Sequence, residues 1–272
     1  MSLNDTVEGI GCIARDSIQT TSTDVLFLSN SGVRSLMRTI QEKSAPERDL
    51  SKNIRNDLMS VVAGETLANI KSVYSEREAF YLLTTPSIGA VFCFDTKAYL
   101  PDGAARATTW DSITPTAFLS RRNGTLYIGK NGYVGLYNTY QDYQSAYRML
   151  YYTNHADLGN QNQISILKKL SIVVIGGTNQ AVTFKWGFDF KTNYLSSDDL
   201  IPTQGESYYG IAEYGANATV IAQYSDGVAL QTLTVSASGS GKVVQTGYET
   251  NINGSALSIQ KIEIQAKNGK LS

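Results

Sequence analysis

The segment Asp24-Val-Leu-Phe-Leu-Ser-Asn-Ser-Gly-Val-Arg-Ser-Leu-Met-Arg38 predicts a strand, a tight turn and a second strand. Asn30-Ser31-Gly32 supplies the turn, and Gly32 is the residue able to take a positive φ there. The apolar residues alternate between two predicted faces, with Val25, Phe27, Val33, Ser35 and Met37 on one and Leu26, Leu28 and Leu36 on the other. A hairpin that is apolar on both faces must be covered on both, so we expect further sheets against it.

Two later segments repeat this hairpin form. Residues 79–95 place the turn Pro86-Ser-Ile-Gly89 between apolar strands, and residues 125–137 place Lys130-Asn-Gly132 between two more. The hairpins start roughly 50 residues apart, which is the spacing of β-propeller blades. The sequence therefore predicts propeller-type blades, and the alternative is three unrelated hairpins of one all-β domain.

Composition narrows the range of functions. The chain has 272 residues, a net charge of −1 and only 17% charged residues, so it lacks the electrostatic footprint of a nucleic-acid-binding or membrane-surface protein. Its 23 glycines and 17 tyrosines favour strands and turns. No apolar run approaches the roughly 18 residues of a membrane span, and the start lacks the pattern of a signal peptide. We expect a soluble protein made in a reducing compartment, with Cys93 as a small buried residue and a disulfide between Cys12 and Cys93 as the alternative.

Further patterns divide the chain into two predicted domains. Residues 1–145 contain the blades, with one short helix near 51–62, where Leu50, Ile54, Leu58 and Val61 form an apolar stripe. Residues 116–138 predict three strands in meander, with Asn123-Gly124 as a two-residue turn. We interpret Met1-Ser2-Leu3 as a start added to a shortened protein.

Residues 146–272 predict a β-sandwich of short strands separated by Gly- and Asn-rich turns. Two long strands are expected at 168–175 and 181–190, with Val182, Phe184, Trp186, Phe188 and Phe190 on a buried face. Shorter strands are expected near 206–214, 218–224, 230–236, 242–249 and 256–266.

Candidate chemical groups are few. The single histidine, His155, has Asp157 nearby, but one histidine and two distant cysteines cannot build a His-rich zinc site. Asp102 and Asp198-Asp199 are oxygen ligands without the spacing of a calcium loop, and they also suit turns. We therefore assign no catalytic, cofactor-binding or metal-binding residue.

A tyrosine-rich bridge occupies residues 137–152. Its rings suit stacking on sugars or bases, and they equally suit packing at a domain junction. The bridge contains Tyr137, Tyr140, Tyr143, Tyr147, Tyr151 and Tyr152.

A set of segments carries a resemblance to a known family. They are residues 24–36, 94–97, 100–103, Trp110, 124–129, 152–159 and 168–170. In this order they resemble the C-terminal part of the β-propeller tail proteins of short-tailed bacteriophages, called tail nozzle, tail-tube or stabilisation proteins. The resemblance runs over roughly residues 7–190 and does not extend to 191–272.

The resemblance implies a virion component below the portal, assembled as a ring in the bacterial host cytoplasm, that helps to form the DNA exit channel. It implies no catalytic residue and no cofactor. Those family members are longer, and three hairpins cannot close a ring of blades. The open blades would expose strand edges and apolar faces, so we expect self-association or association with portal or adaptor proteins.

The leading hypothesis is thus a non-enzymatic phage tail protein with all-β architecture. One alternative is a carbohydrate- or receptor-binding module that uses exposed tyrosines, with Tyr140 and Tyr143 as its test positions. Another is a glycan-active propeller enzyme with converging carboxylates, although the sequence singles out no such pair.

Overall fold

The computed structural model describes residues 10–42, 49–158, 163–178, 180–202 and 230–269. Strands account for 52% of the structure and helices for 9%, and the sheets are antiparallel and open. The predicted all-β class is confirmed. The chain divides into two compact units, Met1–Asn138 and Thr139–Ser272. Within the described ranges, no helix is both long enough and apolar enough to cross a bilayer.

The first unit is built mainly of short strands. They are β1 (Gln19–Thr20), β2 (Val25–Ser29), β3 (Gly32–Ser35), β4 (Lys71–Ser75), β5 (Phe80–Thr85), β6 (Ala90–Tyr99), β7 (Ala105–Trp110), β8 (Ala117–Ser120), β9 (Leu126–Lys130) and β10 (Tyr133–Leu136). Its helices are α1 (Leu36–Glu42) and α2 (Arg55–Ala63), and 3₁₀ turns lie at Arg15–Ser17 and Lys52–Ile54.

These strands form successive antiparallel meanders, ordered β1-β2-β3, β4-β5-β6-β7 and β8-β9-β10. The first sheet and one face of the second share a buried cluster that includes Leu26, Leu28, Tyr81, Leu83 and Phe94. The opposite face of the second sheet forms another cluster with the third sheet, which includes Val73, Phe80, Leu82, Val91 and Leu126. The second sheet is therefore covered on both of its faces.

The first hairpin has a different register from the predicted one. Ser29 pairs with Gly32, so the turn contains only Asn30 and Ser31. Leu28 then pairs with Val33, and both are fully buried on the face opposite Phe27. The prediction that Val33 shares a face with Phe27 was wrong, because it assumed a three-residue turn and a one-residue slip reverses the faces of a strand.

The second strand of this hairpin is also shorter than predicted. It ends at Ser35, and α1 begins at Leu36. Asp24 Oδ1 accepts a hydrogen bond from the Met37 N–H at 2.9 Å, and Ser35 Oγ accepts one from the Arg38 N–H at 3.2 Å. Because these oxygens satisfy free N–H groups of the first helical turn, the helix starts where the alternating pattern predicted more strand.

The helix predicted near 51–62 corresponds to a 3₁₀ turn at Lys52–Ile54 followed by α2. Leu58 and Val62 of α2 are buried in the cluster between the first two sheets. Asp49 precedes the turn with its side chain fully buried, and Arg55 Nη2 lies 2.6 Å from its Oδ2. Burial raises the pKa of the Asp49 carboxyl, and the nearby Arg55 opposes that rise.

The second unit consists entirely of strands and connections in its described residues. The strands are β11 (Tyr147–Tyr152), β12 (Ala156–Asp157), β13 (Ser165–Gly176), β14 (Val182–Phe188), β15 (Leu195–Ser196), β16 (Leu230–Ser236), β17 (Ser240–Gly241), β18 (Val243–Ile252) and β19 (Leu257–Asn268).

These strands form two antiparallel sheets that share one core. One sheet has the order β11-β18-β14-β15 with β12 also on β18, and the other joins β13 to β16, β17 and β19. The shared buried residues include Leu170, Ile172, Phe184, Trp186 and Tyr248. Trp186 Nε1 donates a hydrogen bond to the Ser238 carbonyl at 2.8 Å, so its one polar atom is satisfied.

Most of the strands predicted for this unit are present. β13, β14, β16, β18 and β19 lie where the alternating pattern placed strands, while the strands predicted at 206–214 and 218–224 lie outside the described residues. The expectation that Phe190 is buried was wrong. β14 ends at Phe188, Asp189 and Phe190 form a turn with positive φ, and the Phe190 side chain is 71% exposed.

Candidate binding face of the second unit

Two glycines create a shallow floor on the outward face of the β14–β18 pair. Phe184 and Trp186 on β14 and Tyr248 on β18 point into the core, so Gly187 and Gly247 take outward positions. Gly187 pairs with Gln245 and Gly247 pairs with Lys185, which makes the two glycines diagonal neighbours. Without side chains at these positions, the sheet surface leaves room for rings from neighbouring strands.

Two tyrosines cover this floor from opposite sides. Tyr152 on β11 is paired with Gly247, and its ring occupies the space that a Cβ at Gly247 would need. Tyr194, just before β15, has its ring 3.1 Å from the position of a Cβ at Gly187. The two ring centroids lie 5.3 Å apart with an interplanar angle of 54°. We call Tyr152, Tyr194, Gly187 and Gly247 the tyrosine face.

Hydrogen bonds fix the orientation of both rings. The Tyr152 hydroxyl donates to Glu249 Oε1 at 2.6 Å, and Arg148 Nη2 donates to Glu249 Oε2 at 2.8 Å. The Tyr194 hydroxyl donates to Gln245 Oε1, and Gln245 Nε2 donates to the Thr153 carbonyl at 2.8 Å. The rings are thus held in place without a ligand.

The charges around the tyrosine face nearly balance. The hydrogen bond from Tyr152 and the charge-assisted bond from Arg148 lower the pKa of the Glu249 carboxyl, and Lys185 contributes in the same direction. Burial, and then the hydrogen bond to Glu249, raises the pKa of Tyr152 to about 12. One carboxylate therefore lies between two cations, with a neutral phenol beside it at physiological pH.

We expect the second unit to lose stability between about pH 10 and pH 12. The folded-state pKa of Tyr152 lies near 12, above its ordinary value of 10.0, and burial likewise raises that of Tyr248 to about 12. The stabilisation is therefore fully present below pH 10 and is lost as pH rises through 12. Titration of tyrosine absorbance at 295 nm on the folded protein tests this, because Tyr152→Phe should remove one late-titrating group. If the late titration step of Tyr152→Phe is as large as that of the wild-type protein, Tyr152 is not one of the tyrosines with a raised pKa.

The polar residues singled out from sequence have separate local partners. The His155 ring lies 4.3 Å from the exposed ring of Phe190, and Asp157 lies on β12, paired with Val243. Asp199 Oδ1 accepts a hydrogen bond from Thr183 Oγ1 at 2.7 Å, whereas Asp102 belongs to the first unit and caps a turn through the Ala104 N–H at 3.1 Å. These carboxylates act as local turn and strand partners.

The tyrosines of the bridge 137–152 take different roles. Tyr137 belongs to the first unit and stacks on Trp110 with an interplanar angle of 2°. Tyr151 stacks on Tyr248, with centroids 5.7 Å apart. Tyr140 and Tyr143 are exposed, at 50% and 76%. Only Tyr152 of this group contributes to the tyrosine face.

Sequence reasoning missed Tyr194, Glu249 and the two glycines. A signal for the glycines was present, since Gly187 interrupts the alternation of β14 at an outward position. No sequence pattern predicts that Tyr194 lies next to Tyr152, because only the order of strands in the sheet brings the two residues together.

The structure offers no metal or disulfide chemistry in its described part. There, no group of three or more His, Cys, Asp or Glu side chains is placed to hold a metal ion. Cys12 and Cys93 are free thiols, and burial raises the pKa of the Cys93 thiol to about 12. The groups that the tyrosine face offers to a ligand are aromatic rings for stacking and polar side chains for hydrogen bonding.

Comparison with known proteins gives no family assignment: no protein-family model matches the chain, and no curated protein matches it either.

Proposed function

We propose that this chain is a non-catalytic structural component of a phage tail, of the nozzle or head-to-tail stabilisation type. In this proposal the first unit supplies propeller-type blades that other sheets complete, and the second unit is a β-sandwich. Support comes from the successive meander sheets of the first unit, in which the second sheet is covered on both faces. Repeated face-to-face sheets are the building pattern of a propeller.

One observation carries the proposal: in the part of the chain that the structure describes, the outward face of the third sheet consists of exposed apolar side chains. Leu119 on β8 and Leu136 on β10 both pair with Tyr127, and they are 59% and 44% exposed. Val134 in the next row is 77% exposed. The inward face of the same sheet contributes Leu126, which is 2% exposed, to the cluster with the second sheet. Exposed apolar patches of this kind mark interaction sites.

We assign this face to a second copy of the chain. The stack already places three sheets in succession, and an apolar surface from a neighbouring copy continues the same packing. A further exposed apolar group lies on α1, where Leu36, Met37 and Ile40 are 40%, 49% and 39% exposed. Contact between two different surfaces of successive copies generates a ring when the rotation closes.

The proposed position in the particle is consistent with the charge of the chain. A channel through which DNA passes should bind it weakly, because each neutralised phosphate adds affinity. The net charge of −1 meets that requirement. The protein would act in the virion tail, after assembly in the bacterial host cytoplasm.

Sedimentation velocity over a wide concentration range tests the assembly. The wild-type chain should sediment as an oligomer of several copies. Val134→Lys should shift it to monomer, because it places a charge in the exposed apolar face of the third sheet. Ile88→Lys is the matched control, since Ile88 is 49% exposed in the β5–β6 turn and does not belong to the third sheet. A wild-type chain that stays monomeric at every concentration would refute assembly through this face.

Co-purification with a portal or adaptor ring tests the location. Capture of the wild-type chain, and weaker capture of Val134→Lys, would support a tail component that binds as an assembled ring. A chain that assembles by itself but associates with neither ring would contradict the tail assignment and leave only the self-association.

A further inference from the structure

We propose that the tyrosine face of the second unit is a binding site for a neutral oligosaccharide. The inference is independent of the assembly proposal, which concerns the first unit. It also replaces Tyr140 and Tyr143, the tyrosines favoured from sequence, with Tyr152 and Tyr194. Three features of the face point to this ligand: its shape, the fixed orientation of its rings and the near balance of its charges.

The shape suits a flat ligand. Gly187 and Gly247 leave no side chains between the two tyrosines and the sheet, so the rings lie close to its surface. Tyr194 remains 39% exposed. A pyranose ring has an apolar face of C–H groups that packs well on an aromatic ring, which supplies rigid contact area and a polar edge.

Ring orientation is set before any ligand binds. Tyr152 is tied to Glu249 and Tyr194 to Gln245, so binding requires little loss of side-chain freedom. Glu249 and Gln245, which hold the rings in place, also lie beside them. A carboxylate, an amide and the Lys185 ammonium together provide acceptors and donors for sugar hydroxyls, with Lys185 directly opposite Gly247 in the sheet.

The charge pattern distinguishes between ligand classes. Nucleic acids bind to surfaces with an excess of cations, because phosphate contacts supply most of their affinity. Here two cations, Arg148 and Lys185, lie near one carboxylate, Glu249, so the face has a surplus of a single positive charge and not the row of cations that a phosphate backbone requires. An extended peptide would add to a strand edge through backbone hydrogen bonds, whereas the groups that form the tyrosine face are side chains on the surface of the sheet. A neutral polyhydroxylated ligand fits both the stacking and the hydrogen-bonding groups.

Isothermal titration of the full chain with maltohexaose, cellohexaose, chitohexaose and dextran tests the site. At least one of these probes should bind, and Tyr194→Ala should weaken that binding by about tenfold or more, since it removes a stacking ring. Glu249→Gln keeps the size of the side chain and removes its charge, so it should weaken binding less, by a few fold. Tyr143→Ala is the matched control, because it deletes an exposed tyrosine from outside the face and should leave binding unchanged.

The outcomes separate clearly. Absence of binding to all four probes would overturn the proposal, and so would wild-type affinity in Tyr194→Ala. Loss of binding in Tyr143→Ala with retention in Tyr194→Ala would move the site to the exposed tyrosines of the bridge. If Tyr194→Ala does not fold, Glu249→Gln decides, since it should weaken binding by a few fold, and wild-type affinity in that variant would overturn the proposal. Self-association of the first unit should be the same in all these variants.

Discussion

Replacing Phe94 with alanine is expected to lower the free energy of unfolding of the first unit by about 3–5 kcal/mol. Phe94 is fully buried, and its ring centroid lies 6.1 Å from that of Tyr81, which is also fully buried. Its cluster draws residues from two sheets and from α2, including Leu28 and Leu58. Because these elements are held by their own hydrogen bonds, they cannot close around the missing ring, and a cavity remains. Urea unfolding of wild type and variant measures the difference.

The second unit offers a matched variant and a matched control. Phe184 is fully buried between the two sheets of that unit, so Phe184→Ala should cost a similar amount. Phe190→Ala deletes the same ring where it is 71% exposed and should cost less than about 1 kcal/mol. A cost for Phe94→Ala no larger than that for Phe190→Ala would show that the shared core of the first two sheets does not stabilise the unit.

The fold class could be predicted because it depends on local patterns. Apolar runs bounded by turn residues located β5, β6 and β13, alternation of apolar residues located β14, and the turn Pro86-Ser-Ile-Gly89 joins β5 to β6 as expected. Details that depend on one hydrogen bond or one turn residue were not predictable. Ser120 pairs with Leu126, so the connection at Asn123-Gly124 is longer than the expected two-residue turn.

The register of the first hairpin shows the same limit. Two-residue and three-residue turns at Asn30 both fit the sequence, and they place opposite faces of β3 against the second sheet. Hydrogen bonds from residues outside the hairpin favour the two-residue turn. Leu50 N–H donates to the Val33 carbonyl at 2.9 Å, and the Val33 N–H donates to Ser51 Oγ at 3.0 Å. Residues beyond the hairpin therefore help to fix its register.

The tyrosine face was even less accessible to sequence reasoning. Tyrosine density drew attention to the bridge 137–152, although most of those rings serve other roles. Tyr152 and Tyr194 meet only because β11 and β14 both pair with β18. Long-range sheet order of this kind leaves no periodic signal, whereas a glycine at an outward strand position is a local one. An outward glycine between strands rich in tyrosine is a pattern that could find such a face in other chains.

Replacing Gly32 with alanine is expected to destabilise the first unit by about 2–4 kcal/mol. Gly32 has a φ of +132°, where a side chain is strained whatever the space around it. A Cβ at this position would also clash with Ser51 Oγ and lie 3.2 Å from Asp49 Oδ2. Moving Ser51 would break its hydrogen bond from the Val33 N–H, which is buried and would lose its partner. Moving Asp49 would disturb its contact with Arg55.

Gly132→Ala separates backbone strain from this crowding. Gly132 occupies the turn of the third hairpin with a φ of +79°, and a Cβ there would meet nothing within 4 Å. It should therefore cost only the strain of a left-handed alanine, about 1 kcal/mol. The excess cost of Gly32→Ala then combines the close approach of the 49–51 segment with the greater backbone strain of a φ of +132°. Equal costs in urea unfolding would mean that Ser51 and Asp49 move aside freely, and that the predicted turn glycine is needed for its φ alone. A larger cost at Gly32 that becomes smaller when Gly32→Ala is measured in a Ser51→Gly background, relative to Ser51→Gly alone, would show that the hairpin and the segment before α2 are fitted to each other.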